Sequence, residues 1–181
     1  MNKILTIIII FLSTSVLSAN ERDAKLDKLF MELKTNITSS SPMIAQQIWS
    51  LWSTHPTDEK LTSILDEGSR LVQDRQLARA INVFTEVIKL DPTWAEAWNK
   101  RATVFYMVGE FDKSQDDIDK VLELEKRHFG ALAGQGMVNI QLKNYDKAKR
   151  SYQKVQEIYP AMKSPKVMIE QIEELIKRQS I

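Results

Sequence analysis

Cysteine is absent from the 181 residues, which excludes a disulfide framework, a thiol nucleophile and a lipid anchor built on a cysteine. Histidine occurs twice, at His55 and His128. Neither has a second histidine or a carboxylate at the spacing a metal site uses, so both read as exposed or capping side chains and no metal is expected. Charge of one sign is lacking too: 25 Lys and Arg stand against 24 Asp and Glu. A bulk attraction for nucleic acid or an anionic lipid surface is thereby excluded. No apolar run reaches the roughly 20 residues that span a bilayer. The longest, residues 4–12, stops at Ser13, Thr14 and Ser15.

That short run has another reading. Asn2 and Lys3 form a brief basic start, the apolar stretch follows, and residues 13–19 are mostly small and polar. This is the pattern of a secretory signal over residues 1–18, and cleavage after Ser18 places Val16 and Ser18 in the two small-residue positions. Cleavage after Ala19 would place the bulkier Leu17 in one of them. The mature chain then has no net charge, because Lys3 is the signal's only charged residue. About 160 residues remain, enough for one domain with a continuous core and no stable membrane insertion.

From Leu61 to Pro160 the same residue types return with a 34-residue period. Leu77, Phe111 and Tyr145 stand one period apart, as do Phe84, Ile118 and Tyr152, and Leu90, Leu124 and Ile158. Pro92 and Pro160 stand two periods apart. Each unit, 61–94, 95–128 and 129–162, reads as a helix pair whose second helix starts near Leu77, Phe111 or Tyr145. Small residues mark where the two helices touch: Gly68, Ala102 and Gly136 on the first, Ala80, Ser114 and Ala148 on the second. Large residues, Ile64, Trp98 and Leu132, fill the space between pairs. One pair cannot bury its apolar face alone and does so by stacking on the next.

Residues 20–56 fall outside that register but keep helical spacing, with Leu26, Leu29, Phe30 and Leu33 in one helix and Ile44, Ile48, Leu51 and Trp52 in another. A polar connector, 35–41, contains the glycosylation-type triplet Asn36-Ile37-Thr38. Ser41-Pro42 is a helix start, as is Ser164-Pro165, after which Met168, Ile172, Leu175 and Ile176 share one face of a closing helix over 164–178. The amino-terminal pair is placed to close the opposite end of the array.

The columns around Trp98, Ala102, Gly109, Phe111, Ile118 and the two prolines resemble the tetratricopeptide repeat, over roughly 100 residues. Lys126 replaces a proline, and Arg75 and Lys143 replace the turn glycine kept as Gly109, which leaves the local geometry open, above all at residues 126–129. The resemblance implies an all-α solenoid of three helix-pair repeats, and the whole chain looks like secreted members found in the bacterial periplasm. It also implies that the first helices line a concave groove for an extended peptide or a partner's helix. Carried onto this chain, the groove holds Asn99, Lys100, Thr103, Tyr106 and Met107 in the middle unit. The third unit adds Ala133, Gly134, Met137, Ile140 and Gln141, and the first Asp66, Ser69, Val72 and Gln73. Tyr106, Met107, Met137 and Ile140 form its adhesive part, or else pack as core against the flanking helices. A lysine and asparagine clamp for a terminal carboxylate is incomplete, since Asn99 and Lys100 have no counterparts in the neighbouring units.

Two further clusters have structural readings. Gly130, Gly134 and Gly136 fit no phosphate-binding spacing and allow close helix contact instead. The acidic run Asp112, Asp116, Asp117, Asp119, Glu123 and Glu125 reads as a solvated convex face, not a calcium loop. The expectation is a non-catalytic periplasmic module, without cofactor or metal, that binds a segment of another protein and serves as adaptor, assembly factor or chaperone. Its rival is a self-associating scaffold whose groove is filled by its own amino-terminal helices; an enzyme is the remote third reading.

Overall fold

In the computed structural model, residues 21–35 and 39–179 are described. The signal reading and the Asn36-Ile37-Thr38 triplet lie outside them. Helix α1 covers 21–35, and the others are α2 (Ser41–Ser53), α3 (Glu59–Gln73), α4 (Leu77–Leu90), α5 (Ala95–Met107), α6 (Phe111–Leu124), α7 (Phe129–Gln141), α8 (Tyr145–Ile158) and α9 (Ser164–Gln179). The described residues contain no strand. Helices α3 to α8 form three antiparallel pairs, and α9 packs on α8 through Ile172 against Ala148 and Tyr152. The fold is an all-α solenoid of three helix pairs with an amino-terminal pair and a carboxyl-terminal closing helix.

The turn inside each pair is the same three times. Residues 75, 109 and 143 have φ of 58°, 80° and 59°, and a hydrogen bond closes each turn, from Gln76 N to Leu71 O (2.8 Å), Glu110 N to Phe105 O (2.9 Å) and Asn144 N to Asn139 O (2.7 Å). Such a helix ending needs one left-handed residue, which glycine adopts freely and Arg75 and Lys143 adopt at a cost of about 1 kcal/mol each. The substitutions therefore leave the geometry unchanged. The junction at Lys126 is equally regular: Glu125 has φ −140° and ψ 95° against −140° and 94° for Asp91, and His128 N bonds Glu125 O at 3.1 Å. Arg127 supplies what the proline does not, clasping Glu125 with Nε and Nη2 at 2.9 Å each. The start of α3 carries a cap absent from the sequence reading, Asp58 Oδ1 accepting from Lys60 N at 2.8 Å. At Ser41-Pro42 the hydroxyl lies inside the helix, and Ser40 stands at the cap position without a side-chain cap bond.

Glycine at 68 and 136 is required by contact. A β-carbon there would lie 2.4 Å from the buried ring of Phe84 or of Tyr152. Polar side chains on the first helices bond both within a pair and back to the pair before it. Arg101 grips Asp117 with Nε (2.8 Å) and Nη2 (2.7 Å) and reaches Thr85 Oγ1 at 3.0 Å. One period on, Gln135 bonds Asp119 (3.2 Å) and accepts from Ser151 Oγ (2.8 Å). The acidic run is thus not uniformly a solvated face: Asp117 is buried at 4 % exposure. Burial pushes its carboxyl above the ordinary range, and the Arg101 hydrogen bonds and charge pull it back only in part.

The amino-terminal pair does not close the first end of the array. Its residues Leu26, Phe30, Leu33, Ile44, Ile48 and Trp52 share one core with Phe129, Leu132, Val155 and Tyr159 of the third repeat. Arg127 fastens the arrangement, with Nη1 2.6 Å from Asp27 Oδ1 and its guanidinium 4.3 Å from the Phe30 ring centre. The reason is composition: Trp49, Trp52, Phe129 and Tyr159 form one contiguous aromatic surface, and its burial outweighs stacking on the more polar α3.

Candidate functional site

The first helices line the inside of the curve, because α3 touches α5 and α5 touches α7, with no comparable contact between α4 and α6 or between α6 and α8. Two halves of this inner face differ. At the amino-terminal ends of α5 and α7, α2 lies over it: Trp52 stacks on His128 at 3.9 Å and 9°, and Trp49 meets Phe129 edge-on at 5.4 Å. A β-carbon at Gly130 would lie 2.4 Å from the Trp49 ring, so glycine there is what admits the indole. Trp94 Nε1 donates to Trp52 O at 2.8 Å and locks the end of α2.

Under that cover lies a polar unit that the sequence reading missed. Glu96 is fully buried and accepts at Oε2 from Asn99 Nδ2 (3.0 Å) and from His128 Nε2 (3.1 Å). His128 Nδ1 accepts from Ala131 N at 3.0 Å, so the ring's proton sits on Nε2 and points at the carboxylate. Lys100 Nζ stands 3.4 Å from Glu96 Oε1. His55 repeats the pattern, with Nδ1 accepting from Asp58 N (2.9 Å) and Nε2 2.8 Å from Asp91. His128 caps α7 and His55 holds the turn that precedes α3, and both are buried, not exposed. Burial raises Asp91, and the hydrogen bonds from Thr93 and His55 outweigh it, leaving its carboxyl below the ordinary 3.8.

The groove candidates accordingly fall into three groups. Asn99 Nδ2 donates to Glu96 and Lys100 balances the same carboxylate, so both head groups are engaged, while Asn99 also lines the cavity between α5 and α7 and the Lys100 side chain is 34 % exposed. Ile140, with Ala133, is half-buried against the cluster of Ala148, Tyr152 and Ile172 that the closing helix completes. Thr103, Tyr106, Met107, Met137 and Gln141 remain at the open carboxyl-terminal half of the face, where Met107 and Met137 are 45 % and 40 % exposed. Gln73 is also exposed and Val72 half-buried at the matching end of α3. A cavity of about 90 Å³ opens between α5 and α7, with Thr103, Tyr106, Gly134 and Met137 at its rim and Ser114 and Ile118 at its floor. Tyr106 is braced by Phe111 at 5.6 Å. Behind it, burial and then the nearby Tyr106 push the Tyr152 hydroxyl up to about 12. A β-carbon at Gly134 would make only an ordinary contact, 3.5 Å from Ile118, so this glycine widens the cavity and does not serve helix packing. No three His, Asp or Glu side chains gather into a metal-binding group among the described residues.

The same geometry recurs in known proteins. The family model for the tetratricopeptide repeat matches residues 130–162, the third helix pair with its turn. A TPR repeat-containing protein of Rhizobium etli is 28 % identical over 151 residues, 83 % of this chain and 74 % of its own length. Hsp70-Hsp90 organizing protein 1 of Glycine max is 29 % identical over 87 residues, 48 % of this chain and 15 % of its own length, so this chain spans a small part of that relative. Among solved structures, the Arabidopsis OM64 TPR domain superposes with TM-score 0.62 at 23 % identity, covering 64 % of this chain and 96 % of that domain. The first TPR of Spaghetti (RPAP3), solved bound to an HSP90 peptide, superposes with TM-score 0.64 at 18 % identity over 66 % of this chain and 94 % of that one. The architecture is a tetratricopeptide repeat solenoid, and its third repeat carries the family's sequence signature.

Proposed function

We propose that this chain is a periplasmic, non-catalytic binding module that holds a segment of another protein in the open half of its concave face, as adaptor, assembly factor or chaperone of envelope proteins. The observation that carries the reading is the pair of exposed methionines, Met107 at the end of α5 and Met137 on α7, with Met137 lining a cavity rimmed by Thr103 and Tyr106. Methionine and tyrosine on a rigid concave wall give large apolar area that adapts to an irregular partner. Neighbours of the same fold support it: their structures hold an HSP90 peptide, an HSP70 peptide or a peptide of the translocator YopD. The amino-terminal signal pattern supports export. Because α2 covers the other half, the accessible groove is short and takes an apolar side chain or one helical turn of the partner, not a long extended strand.

The test is a photoreactive amino acid at Met137 in intact cells, with Met107→Glu as the control. One envelope protein captured, and lost in the control while thermal unfolding is unchanged, is the expected outcome. Crosslinks confined to this chain's residues 21–53 would refute groove binding and favour the self-filled scaffold. Sequencing the mature amino terminus checks export: it should begin at Ala19.

A further inference from the structure

A second concavity, of about 270 Å³, lies apart from the groove, where α1, α2 and the turns entering α5 and leaving α6 meet. Trp52 and Trp94 form part of its wall, beside Asp23, Asp91, Glu96 and Glu125. Three cations stand against those four carboxylates: Arg22, 3.9 Å from Asp23; Arg127, on Glu125; and Lys100, near Glu96. His55 and His128 donate through Nε2 to Asp91 and Glu96 as neutral rings. Arg127 is shared with Asp27, so carboxylates outnumber cations around the concavity, and among the described residues of its wall Asp91 is the carboxylate without a cation.

Two buried side-chain atoms among the described residues lack a hydrogen-bond partner, Trp52 Nε1 and Glu96 Oε1. Both residues stand in the wall of this one concavity. Lys100 approaches Oε1 to 3.4 Å, close enough for ion pairing but without hydrogen-bond geometry. An unmade hydrogen bond at a buried polar atom is costly, more so at a charged one, and here a donor and an acceptor are left unmade on two residues of one wall, which calls for a partner that supplies both.

We infer that this concavity binds a single organic cation, an alkyl guanidinium or ammonium group that also carries an oxygen acceptor. The cation donates to Glu96, its alkyl portion lies against the tryptophan rings, and its acceptor takes the Trp52 indole proton. Tryptophan beside carboxylate is the combination that stabilises an organic cation while excluding a hydrated metal ion. The volume, just under that of a drug-sized pocket, holds one side chain or one small molecule. A basic residue of a polypeptide fits both unpartnered atoms, through its head group and its backbone carbonyl. The inference does not depend on the groove reading, since no residue of the open half-groove is involved.

The experiment titrates the full chain with N-acetyl-arginine amide, with its uncharged urea analogue N-acetyl-citrulline amide, and with butylguanidinium, following the Trp52 indole signal by NMR. Saturable binding of the arginine compound, at least tenfold tighter than the citrulline compound, is the expected result. Tighter binding of the arginine amide than of butylguanidinium, which lacks an oxygen acceptor, is also expected and assigns the site to a basic residue of a polypeptide; equal binding of the two would overturn the inference. Leu124→Lys places a tethered ammonium at the wall from an exposed position and should weaken binding at least tenfold, whereas Leu124→Gln should leave it unchanged. This pair keeps the test valid if Glu96→Gln fails to fold. Equal affinity for the arginine and citrulline compounds, no titration, or an indole proton held by one ordered water without response to any probe would overturn it.

Discussion

Two glycines, two residues apart on α7, should respond to alanine with opposite signs. At Gly134 an added β-carbon finds its nearest neighbour, Ile118 Cδ1, at 3.5 Å, an ordinary contact. Only helix propensity acts there, and Gly134→Ala should stabilise by about 1 kcal/mol. At Gly136 the added carbon lies 2.4 Å from Tyr152 Cε2, and the ring is buried at 3 % exposure with no open space to retreat into. The ring must move by about 1 Å to restore van der Waals distance. Overpacking of this kind costs about 1–3 kcal/mol, offset by the same propensity gain, so Gly136→Ala should destabilise by about 1 kcal/mol. The two variants should then differ by about 2 kcal/mol, or roughly 4–8 °C in Tm for a domain of this size. Urea and thermal unfolding measure it, and Tyr152→Leu in the Gly136→Ala background should recover part of the loss. Stabilisation by Gly136→Ala, or equal effects at both sites, would refute the claim that close helix approach, and not helix formation, is why glycine stands at 136.

Two other outcomes follow from the same physics. Gly109, at φ 80°, has nothing within 4 Å of an added β-carbon, so Gly109→Ala tests backbone strain alone and should cost about 1 kcal/mol in urea unfolding, with Lys143→Gly no worse than neutral. Asp91 has a folded-state pKa lowered below 3.8, so its charged form contributes stability that is present above the unfolded value and lost as pH falls through the folded one. Wild type should therefore exceed Asp91→Asn in Tm at neutral pH, and the two curves should converge below pH 3.8; a gap that persists at lower pH would remove the carboxylate as its source.

The repeat architecture was legible in the chain because each contact that defines it is local in the period. Gly68 against Phe84 and Gly136 against Tyr152 are one helix apart, and the left-handed turn at 75, 109 and 143 depends on residues within one loop. Even the departures, Arg75, Lys126 and Lys143, were absorbed, since backbone hydrogen bonds and the Arg127 to Glu125 clasp reproduce the same turns. The candidate groove was legible only in part. Thr103, Tyr106, Met107, Met137 and Gln141 stay accessible, but the half-burial of Ile140 beside the cluster that α9 completes, and the buried union with His128 of the Glu96 carboxylate to which Asn99 donates, depend on partners in distant elements.

Sequence alone therefore determined the unit, its period and the surface those units curve into. Tertiary structure decided where the amino-terminal pair went. That pair has no period to register it and is placed by whichever apolar surface it can bury, which proved to be the aromatic cluster of Phe129 and Tyr159 in the third repeat. By settling there it closed one half of the groove, left the other open, and built between Trp52, Trp94 and Glu96 a concavity that no single segment contains.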